Sequence, residues 1–270
     1  MTSPADVLEG RARWCVQLGD CRDLLRALPD KSVDHIISDP PYSAQVHSNV
    51  RSAKRDGLPD VADHACRVRR TVDLGFESLT HAVRRAVAGE AARTVKRWSM
   101  FFSDVESCHL WRFSCEAAGL RYVRTCEWRR IGGAPQFTGD RPASGFETIT
   151  VAHAANAGRF RWNGGGKAGS YEYPIVANRA GQRFSRIHPT QKPLELMLDL
   201  VADFTLPDEI VCDPFCGSAT TGLACLRLGR RFIGFELDVV HAETARVRLD
   251  AEVRGSTIQA ASAGQGALFG

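Results

Sequence analysis

Short apolar runs alternate with amphipathic segments along most of the chain. The apolar runs, rich in β-branched and aromatic residues, predict strands over Val33–Ser38, Ser99–Phe102, Tyr122–Trp128, Glu147–Val151, Glu209–Cys212 and Arg231–Glu236. Apolar residues at helical spacing predict helices over Arg22–Leu28, Phe76–Lys96, Val105–Ala118, Leu194–Phe204 and Ala219–Leu228. Alternating β and α units predict an α/β fold with a doubly wound, mostly parallel sheet.

Two stretches, residues 43–75 and 154–187, interrupt this alternation and carry many cations. Residues 43–190 hold 23 Lys and Arg against 13 Asp and Glu, so their net charge is +10, whereas the two flanking parts carry −2 and −4. A basic region is expected where phosphates approach a protein. The second stretch also contains aromatics and three consecutive glycines, a composition typical of a recognition loop that orders on nucleic acid.

The composition fits one large core. A length of 270 residues, 44% of them hydrophobic, predicts a single domain over residues 1–253. We expect a disordered tail over residues 254–270. No apolar run reaches the roughly 18–20 residues that a spanning helix needs, and no signal-peptide pattern occurs, so a cytoplasmic protein is expected. Nine cysteines without a CxxC pair predict reduced, mostly buried thiols and no metal site.

The tetrapeptide Asp39-Pro40-Pro41-Tyr42 follows a predicted strand, and ligands bind at the carboxyl ends of strands in open α/β sheets. An aromatic amine is a weak nucleophile because its lone pair is delocalised into the ring. The Asp39 carboxylate and the Pro40 carbonyl, which the prolines hold rigidly, are suited to accept its two hydrogens. The Tyr42 ring offers a stacking face for a base. This pattern favours catalysis on the exocyclic amine of a base.

A second loop, Asp213-Pro214-Phe215-Cys216-Gly217-Ser218, follows the predicted strand that ends at Cys212. Gly217 allows close backbone approach, and Ser218, Thr220 and Thr221 are expected to cap the following helix, whose N-terminus suits a carboxylate. The next predicted strand ends in Glu236, at the spacing where an acid binds ribose hydroxyls. Loop, helix, strand and acid in this order predict a nucleotide-type cofactor site.

These segments resemble the S-adenosylmethionine-dependent amino-methyltransferases of DNA, specifically the permuted beta group. Two further segments match that family, Gly19-Asp20-Cys21 and His188-Pro189-Thr190-Gln191-Lys192-Pro193, and the resemblance covers residues 12–42 and 98–250. It implies a seven-stranded Rossmann-like sheet. Ala219 stands where the family usually has glycine, and at a helix start we expect alanine to be conformationally acceptable.

The resemblance implies a role for each matching residue. Asp39, Pro40, Pro41 and Tyr42 are the expected catalytic residues. Cofactor contacts are expected from Asp20, Cys21, Asp39, Thr190, Lys192, Asp213, Phe215, Gly217, Ser218, Thr220, Thr221, Glu236 and Leu237. Asp20 matches the adenine-contacting acid, and the segment with Thr190 and Lys192 matches the one that closes over the methionine end. Double-stranded DNA contacts are expected from Arg51, Lys54, Arg55, Arg159, Arg161, Lys167, Arg179 and Arg183.

Several alternatives stay open at this point. Asp39 as the first motif residue favours adenine N6 over cytosine N4, because family members acting on cytosine often have serine there. An RNA or protein-glutamine amino-methyltransferase is a second interpretation, and a DNA-binding relative without catalysis is a third. The sequence leaves open the recognition site, a homodimer and a cognate restriction nuclease as partner.

Overall fold

A computed structural model describes residues 2–42, 79–133, 142–156, 158–176 and 191–255 of the chain. Within these ranges one sheet contains eight strands in the order β1-β8-β7-β2-β3-β5-β4-β6. Their bounds are β1 Trp14–Leu18, β2 His35–Ser38, β3 Trp98–Ser103, β4 Leu120–Ile131, β5 Phe146–Ala154, β6 Ser170–Pro174, β7 Ile210–Asp213 and β8 Arg231–Glu236.

All neighbouring strands pair in parallel except at β5, which runs antiparallel to both β3 and β4. The prediction of a mostly parallel sheet is therefore confirmed. The sheet has one strand more than the seven that the resemblance implied. Strands β1 and β6 are not among the six predicted from the hydrophobic pattern, and β6 lies inside the stretch 154–187 that was predicted to be a loop. Its residues alternate, with Tyr171 buried in the core and Glu172 exposed, but the flanking glycines and the short run hide that alternation in the sequence.

The helices are α1 Pro4–Leu8, α2 Cys21–Arg26, α3 His81–Thr94, α4 Cys108–Ala117, α5 Leu194–Phe204, α6 Thr220–Arg227 and α7 Val239–Arg254. Asp20, Thr80 and Asp238 cap α2, α3 and α7 with their side chains. The segment predicted as one helix from Val105 begins with a 3-10 turn over Val105–Ser107 before α4. Helix α1, which is only five residues long and starts with a capping box, was not predicted.

The core has two halves, one on each face of the sheet, because successive strand residues point to opposite faces. Ile37 and Phe102 lie in the half that α5, α6 and α7 cover through residues such as Leu200 and Leu249. The half that α2, α3 and α4 cover contains, among others, Ile36, Phe101, Leu25, Val87 and Trp111. Helices on both faces confirm the doubly wound architecture.

Eight cysteines lie in the part of the chain that the structure describes, and all eight are free thiols. Seven of them are buried, and Cys108 is half-buried. Burial raises the pKa of Cys15 and of Cys115 to about 12, so these thiols stay protonated near neutral pH. No helix in the described ranges is long and apolar enough to cross a membrane.

Candidate active site

The four motifs meet at one edge of the sheet. Strands β1, β8, β7 and β2 are consecutive neighbours and parallel, so their carboxyl ends lie side by side. Asp20 follows β1, Glu236 ends β8, Asp213 ends β7, and Asp39 follows β2. We call this side of the sheet the carboxyl edge and the opposite side the amino edge. The strand order therefore brings the four acids that were predicted to share one site to neighbouring strand ends.

Backbone groups hold Glu236 in place. Its Oε2 accepts a hydrogen bond from the Gly217 N–H at 2.8 Å, and its Oε1 accepts one from the Asp238 N–H at 2.9 Å. Gly217 has a φ of 51°, which favours glycine, and a Cβ added there would meet no atom within 4 Å. The space beside Gly217 is therefore open. The Glu236 carboxylate borders it, and each of its oxygens can accept a further hydrogen bond.

Asp213 lies beneath this loop, and its side chain is fully enclosed. Oδ1 accepts hydrogen bonds from Ser38 Oγ at 2.6 Å and from the Phe215 N–H at 3.1 Å, and Oδ2 accepts one from Thr221 Oγ1 at 2.7 Å. Burial raises the pKa of Asp213 to about 6, against the opposing effect of these hydrogen bonds. The geometry makes Asp213 a support that joins β2, the loop and α6.

The start of α6 differs from both sequence expectations. Ala219 is its N-cap residue in the left-handed conformation, with φ 59° and ψ 45°, and no side chain caps the helix. The prediction that Ser218, Thr220 and Thr221 cap it is wrong, because these side chains are buried and two are bonded elsewhere. Thr221 donates to Asp213, and Ser218 Oγ accepts from Arg248 Nη1 at 2.8 Å. The expectation that alanine is unstrained at this position is also wrong.

The residues predicted to surround the cofactor adenine lie at the adjacent strand ends. Asp20 caps α2 through the Arg22 N–H at 2.8 Å and also pairs with the Arg22 guanidinium at 2.5 Å. Cys21 is buried behind it. Leu237 is 73% exposed and Leu18 is 44% exposed, so two apolar side chains border this part of the edge. The arrangement combines a paired carboxylate with exposed apolar surface.

The tetrapeptide Asp39–Tyr42, which was predicted to be catalytic, contacts a lysine and a second acid. Lys192 Nζ donates to Asp39 Oδ2 at 2.6 Å and lies 3.3 Å from Glu147 Oε2. The Tyr42 hydroxyl donates to Glu147 Oε2 at 2.5 Å, and Arg130 Nη1 reaches Glu147 Oε1 at 3.4 Å. Lys192, expected at the methionine end of the cofactor, thus contacts Asp39 of the tetrapeptide.

The charges of this cluster affect one another strongly. Burial and the neighbouring Glu147 raise the pKa of Asp39, whereas the Lys192 ammonium acts in the opposite direction. Burial also raises the pKa of Tyr42 well above its ordinary value, so its hydroxyl stays a donor. The Lys192 pKa is raised, because attraction to Asp39 and Glu147 outweighs its burial. The cluster therefore contains two carboxylates, one ammonium and the Arg130 guanidinium.

Sequence reasoning did not identify Glu147 or Arg130 as site residues. Glu147 lies at the start of β5, and only the antiparallel direction of that strand brings its first residues to the carboxyl edge. An acid directly before an apolar run was the available signal. It carried no information without the direction of the strand.

Two predicted DNA contacts, Arg159 and Arg161, lie at the amino edge, and a third, Lys167, is paired with acids of α5. The Arg161 carbonyl accepts from Trp98 Nε1 at 2.8 Å, and Trp98 is the first residue of β3. Lys167 Nζ pairs with Asp203 at 2.9 Å and Asp199 at 3.3 Å, in the second half of α5. Arg159 precedes Phe160, which packs on Trp98. A six-residue strand spans about 20 Å, so this geometry does not support DNA contacts by Arg159 and Arg161 near Asp39. The Lys167 charge is already paired with two carboxylates.

The aromatics of the same segment are also occupied. Phe160 packs against Trp98 and His153, and Trp162 packs edge-on against Phe204 at a centroid distance of 4.7 Å. These rings extend the core and are not free to stack on bases. The remaining predicted contacts, Thr190, Arg51, Lys54, Arg55, Arg179 and Arg183, lie outside the described residues.

Comparison with known proteins agrees with this geometry. The model of the DNA methylase family that groups N6 and N4 methyltransferases matches residues 33–246. The chain belongs to this family. The match includes Asp39, Glu147, Lys192, Asp213 and Glu236, and it favours a DNA substrate over the RNA or protein substrates that the sequence left open.

Two curated relatives are type II methyltransferases. M.HinfI of Haemophilus influenzae is 24% identical over 252 residues, which cover 86% of this chain and 67% of that protein. M2.DpnII of Streptococcus pneumoniae is 30% identical over 145 residues, which cover 51% of this DNA methylase and 54% of the relative. The chain thus spans about two thirds of the first relative and about half of the second.

Solved structures support the fold of this DNA methylase. The M1.HpyAVI–SAM complex superposes with a TM-score of 0.60 at 23% identity, covering 87% of this chain and all of that one. The cytosine-N4-specific PvuII DNA methyltransferase superposes with a TM-score of 0.64 at 15% identity, covering 87% and 86%. At these identities the likeness establishes the architecture alone.

Proposed function

We propose that this DNA methylase transfers a methyl group from S-adenosylmethionine to the N6 amine of an adenine that has left the duplex. The observation that carries the proposal is the direct link between the catalytic strand and the cofactor loop. Ser38, the residue before Asp39, donates to Asp213 at 2.6 Å. This hydrogen bond joins the tetrapeptide that would hold the amine to the loop that would hold the cofactor. Proximity and alignment are the main catalytic effects available to such a site.

The cofactor supplies a methyl group on a positively charged sulfur. Glu236 would bind the ribose hydroxyls, because both of its oxygens are oriented by backbone donors and keep free lone pairs. The open space at Gly217 fits the methionine part, next to the N-terminus of α6. Asp20 and Leu237 border the space proposed for the adenine ring of the cofactor.

The amine is held by the tetrapeptide. Asp39 Oδ1 is buried and has no hydrogen-bond partner within the described residues, so it offers an acceptor for one amine hydrogen. The Pro40 carbonyl would accept the other, and the Tyr42 ring would stack on the base. A base inside a duplex cannot reach this enclosed motif, so flipping is required. The eight described cysteines are free thiols, seven of them buried, and the mechanism needs no covalent intermediate.

Adenine is proposed because an aspartate begins the tetrapeptide. The test is single-molecule sequencing of DNA from cells that express the protein, beside cells that express Asp39→Ala. N6-methyladenine at a defined site, absent from the variant, is the expected result. If the modified base is N4-methylcytosine, the proposed target is cytosine and not adenine. Unmodified DNA from cells that contain the folded protein would refute methyl transfer to DNA.

The purified Asp39→Ala variant tests the role of the carboxylate itself. Its single-turnover rate should fall at least about a hundredfold, as when one preorganised hydrogen-bonding group is removed from an active site. Calorimetry should find S-adenosylmethionine affinity largely unchanged, because the groups proposed to hold the cofactor remain. A variant that kept more than a few per cent of the rate would remove Asp39 from its assigned role.

A further inference from the structure

The cluster behind the tetrapeptide has more partners than amine binding alone requires. We propose that Lys192 and Glu147 are positioning residues that orient Asp39 and Tyr42 toward the target base, and that Lys192 does not bind the cofactor. This inference rests on the proposed function and adds two residues to that site. Lys192 Nζ contacts Asp39 Oδ2, and Glu147 Oε2 contacts the Tyr42 hydroxyl. Lys192 and Glu147 also contact each other.

The first step concerns the two oxygens of Asp39. Lys192 occupies Oδ2 at 2.6 Å, while Oδ1 is buried and unpartnered among the described residues. A carboxylate held by one oxygen cannot rotate freely, so its other oxygen keeps one direction. Lys192 also favours the ionised carboxylate, which is the form that accepts two hydrogen bonds. The ammonium therefore leaves one oriented acceptor for the amine.

The second step concerns Tyr42. Its hydroxyl donates to Glu147 Oε2 at 2.5 Å, which fixes the ring plane from its far end. The Lys192 ammonium lies 5.1 Å from the centre of the same ring. Glu147 therefore orients the Tyr42 ring through its hydroxyl. It also holds the Lys192 ammonium near the face of that ring.

The third step explains why Lys192 is unavailable to a cofactor. Its side chain is 7% exposed, and the Phe102 and Trp128 rings lie within 6 Å of its ammonium, beside Tyr42. Two carboxylates already surround the charge, and Arg130 compensates the second of them at 3.4 Å. A buried ammonium exchanges such partners only at a large cost. A cofactor carboxylate would have to displace one of these acids or approach the third donor against the repulsion of both.

The experiment compares Lys192→Met and Glu147→Gln with the wild type and with Glu172→Gln as a matched control. Glu172 also pairs with an arginine, Arg129 at 2.7 Å, but the pair is exposed and lies outside the cluster. Single-turnover rates on saturating DNA and cofactor should fall about a hundredfold in Lys192→Met and about tenfold in Glu147→Gln. Calorimetry should find cofactor affinity within about threefold of the wild type in both. The control should match the wild type in rate and affinity.

A double-mutant cycle separates positioning from general loss of structure. Tyr42→Phe keeps the ring and removes the hydroxyl, so adding it to Glu147→Gln should slow the reaction by less than the product of the two single effects. When Tyr42→Phe is combined with the control Glu172→Gln, the loss of rate should equal the product of the two single effects. Thermal unfolding of each variant establishes that it is folded, and Lys192→Arg should recover part of the rate lost in Lys192→Met.

Two results would overturn the inference. One is a Lys192→Met protein with wild-type rate at saturation and cofactor affinity lowered more than about tenfold, which would return Lys192 to the methionine end. The other is a Glu147→Gln protein with a wild-type rate. If the wild-type protein itself methylates no DNA, the proposed function fails, and that outcome is distinct from both.

Discussion

Replacing Asp213 by Asn should stabilise the protein at neutral pH. The pKa of Asp213 is about 6 in the fold, against 3.8 for an exposed aspartate. Because the folded-state value is the higher one, the native state binds the proton more tightly than the unfolded chain. This contribution to stability is fully present below about pH 4 and is lost as pH rises through about 6. The shift of about 2 units corresponds to about 3 kcal/mol.

The amide should fit the same position. Asn can accept from Ser38 and from the Phe215 N–H through its oxygen, and its NH₂ group faces Thr221 Oγ1, which can reverse its role and accept. The variant therefore removes the cost of burying a charge and keeps the hydrogen bonds. We expect a gain of up to about 3 kcal/mol in the free energy of unfolding at pH 8, shrinking toward zero near pH 4.

Urea unfolding followed by tryptophan fluorescence, from pH 4 to pH 8, measures this difference. Other titrating groups are present in both proteins, so their contributions cancel when the two curves are subtracted. Asp23→Asn, at an exposed ion pair with Arg26, is the control and should shift stability by at most about 0.5 kcal/mol. A difference between wild type and Asp213→Asn that is independent of pH would refute the reasoning.

Three further predictions concern separate parts of the molecule. Glu236→Gln should weaken S-adenosylmethionine binding by about 1.5–3 kcal/mol, because the ribose hydroxyls lose a charged acceptor, and unchanged affinity in calorimetry would exclude it from the site. Alanine at Arg159, Arg161 and Lys167 together should leave DNA affinity and its salt dependence near wild type, since Arg159 and Arg161 lie at the amino edge and Lys167 is paired with Asp199 and Asp203. A slope reduced by about 0.9 per residue would contradict that expectation. Ala219→Gly should change unfolding free energy by less than about 1 kcal/mol, because relief of the left-handed conformation offsets the lost buried methyl group, and chemical denaturation measures the sum.

The sequence predicted the order of the elements that carry the proposed cofactor residues, because those signals are local. A strand, a glycine loop, a helix and a second strand ending in Glu236 are consecutive in the chain, and parallel pairing of β7 with β8 brings their ends together. The same locality applies to Asp39, which directly follows β2. For such units, the order of elements determines the geometry.

Residues whose positions depend on tertiary contacts were placed less well. Lys192 and Asp39 are 153 positions apart, and nothing near either residue indicates the other. Cations and aromatics in 154–187 suggested a DNA-binding loop, but Trp98, His153 and Phe204 offer ring partners to Phe160 and Trp162 that composition alone does not reveal. The left-handed backbone at Ala219 is set by the tight loop before α6, and alanine gives no sign of it.

The antiparallel strand has a consequence for DNA recognition. Strands β4 and β6 end at the carboxyl edge and β5 begins there. Three more strand ends therefore lie on the same edge of the sheet as the tetrapeptide. Ile131, Phe146 and Ile175 lie at these ends and are exposed. A parallel β5 would have placed its first residues at the amino edge, away from Tyr42. The reversal of one strand therefore brings both Glu147 and an exposed apolar border to the edge of the sheet that carries Asp39.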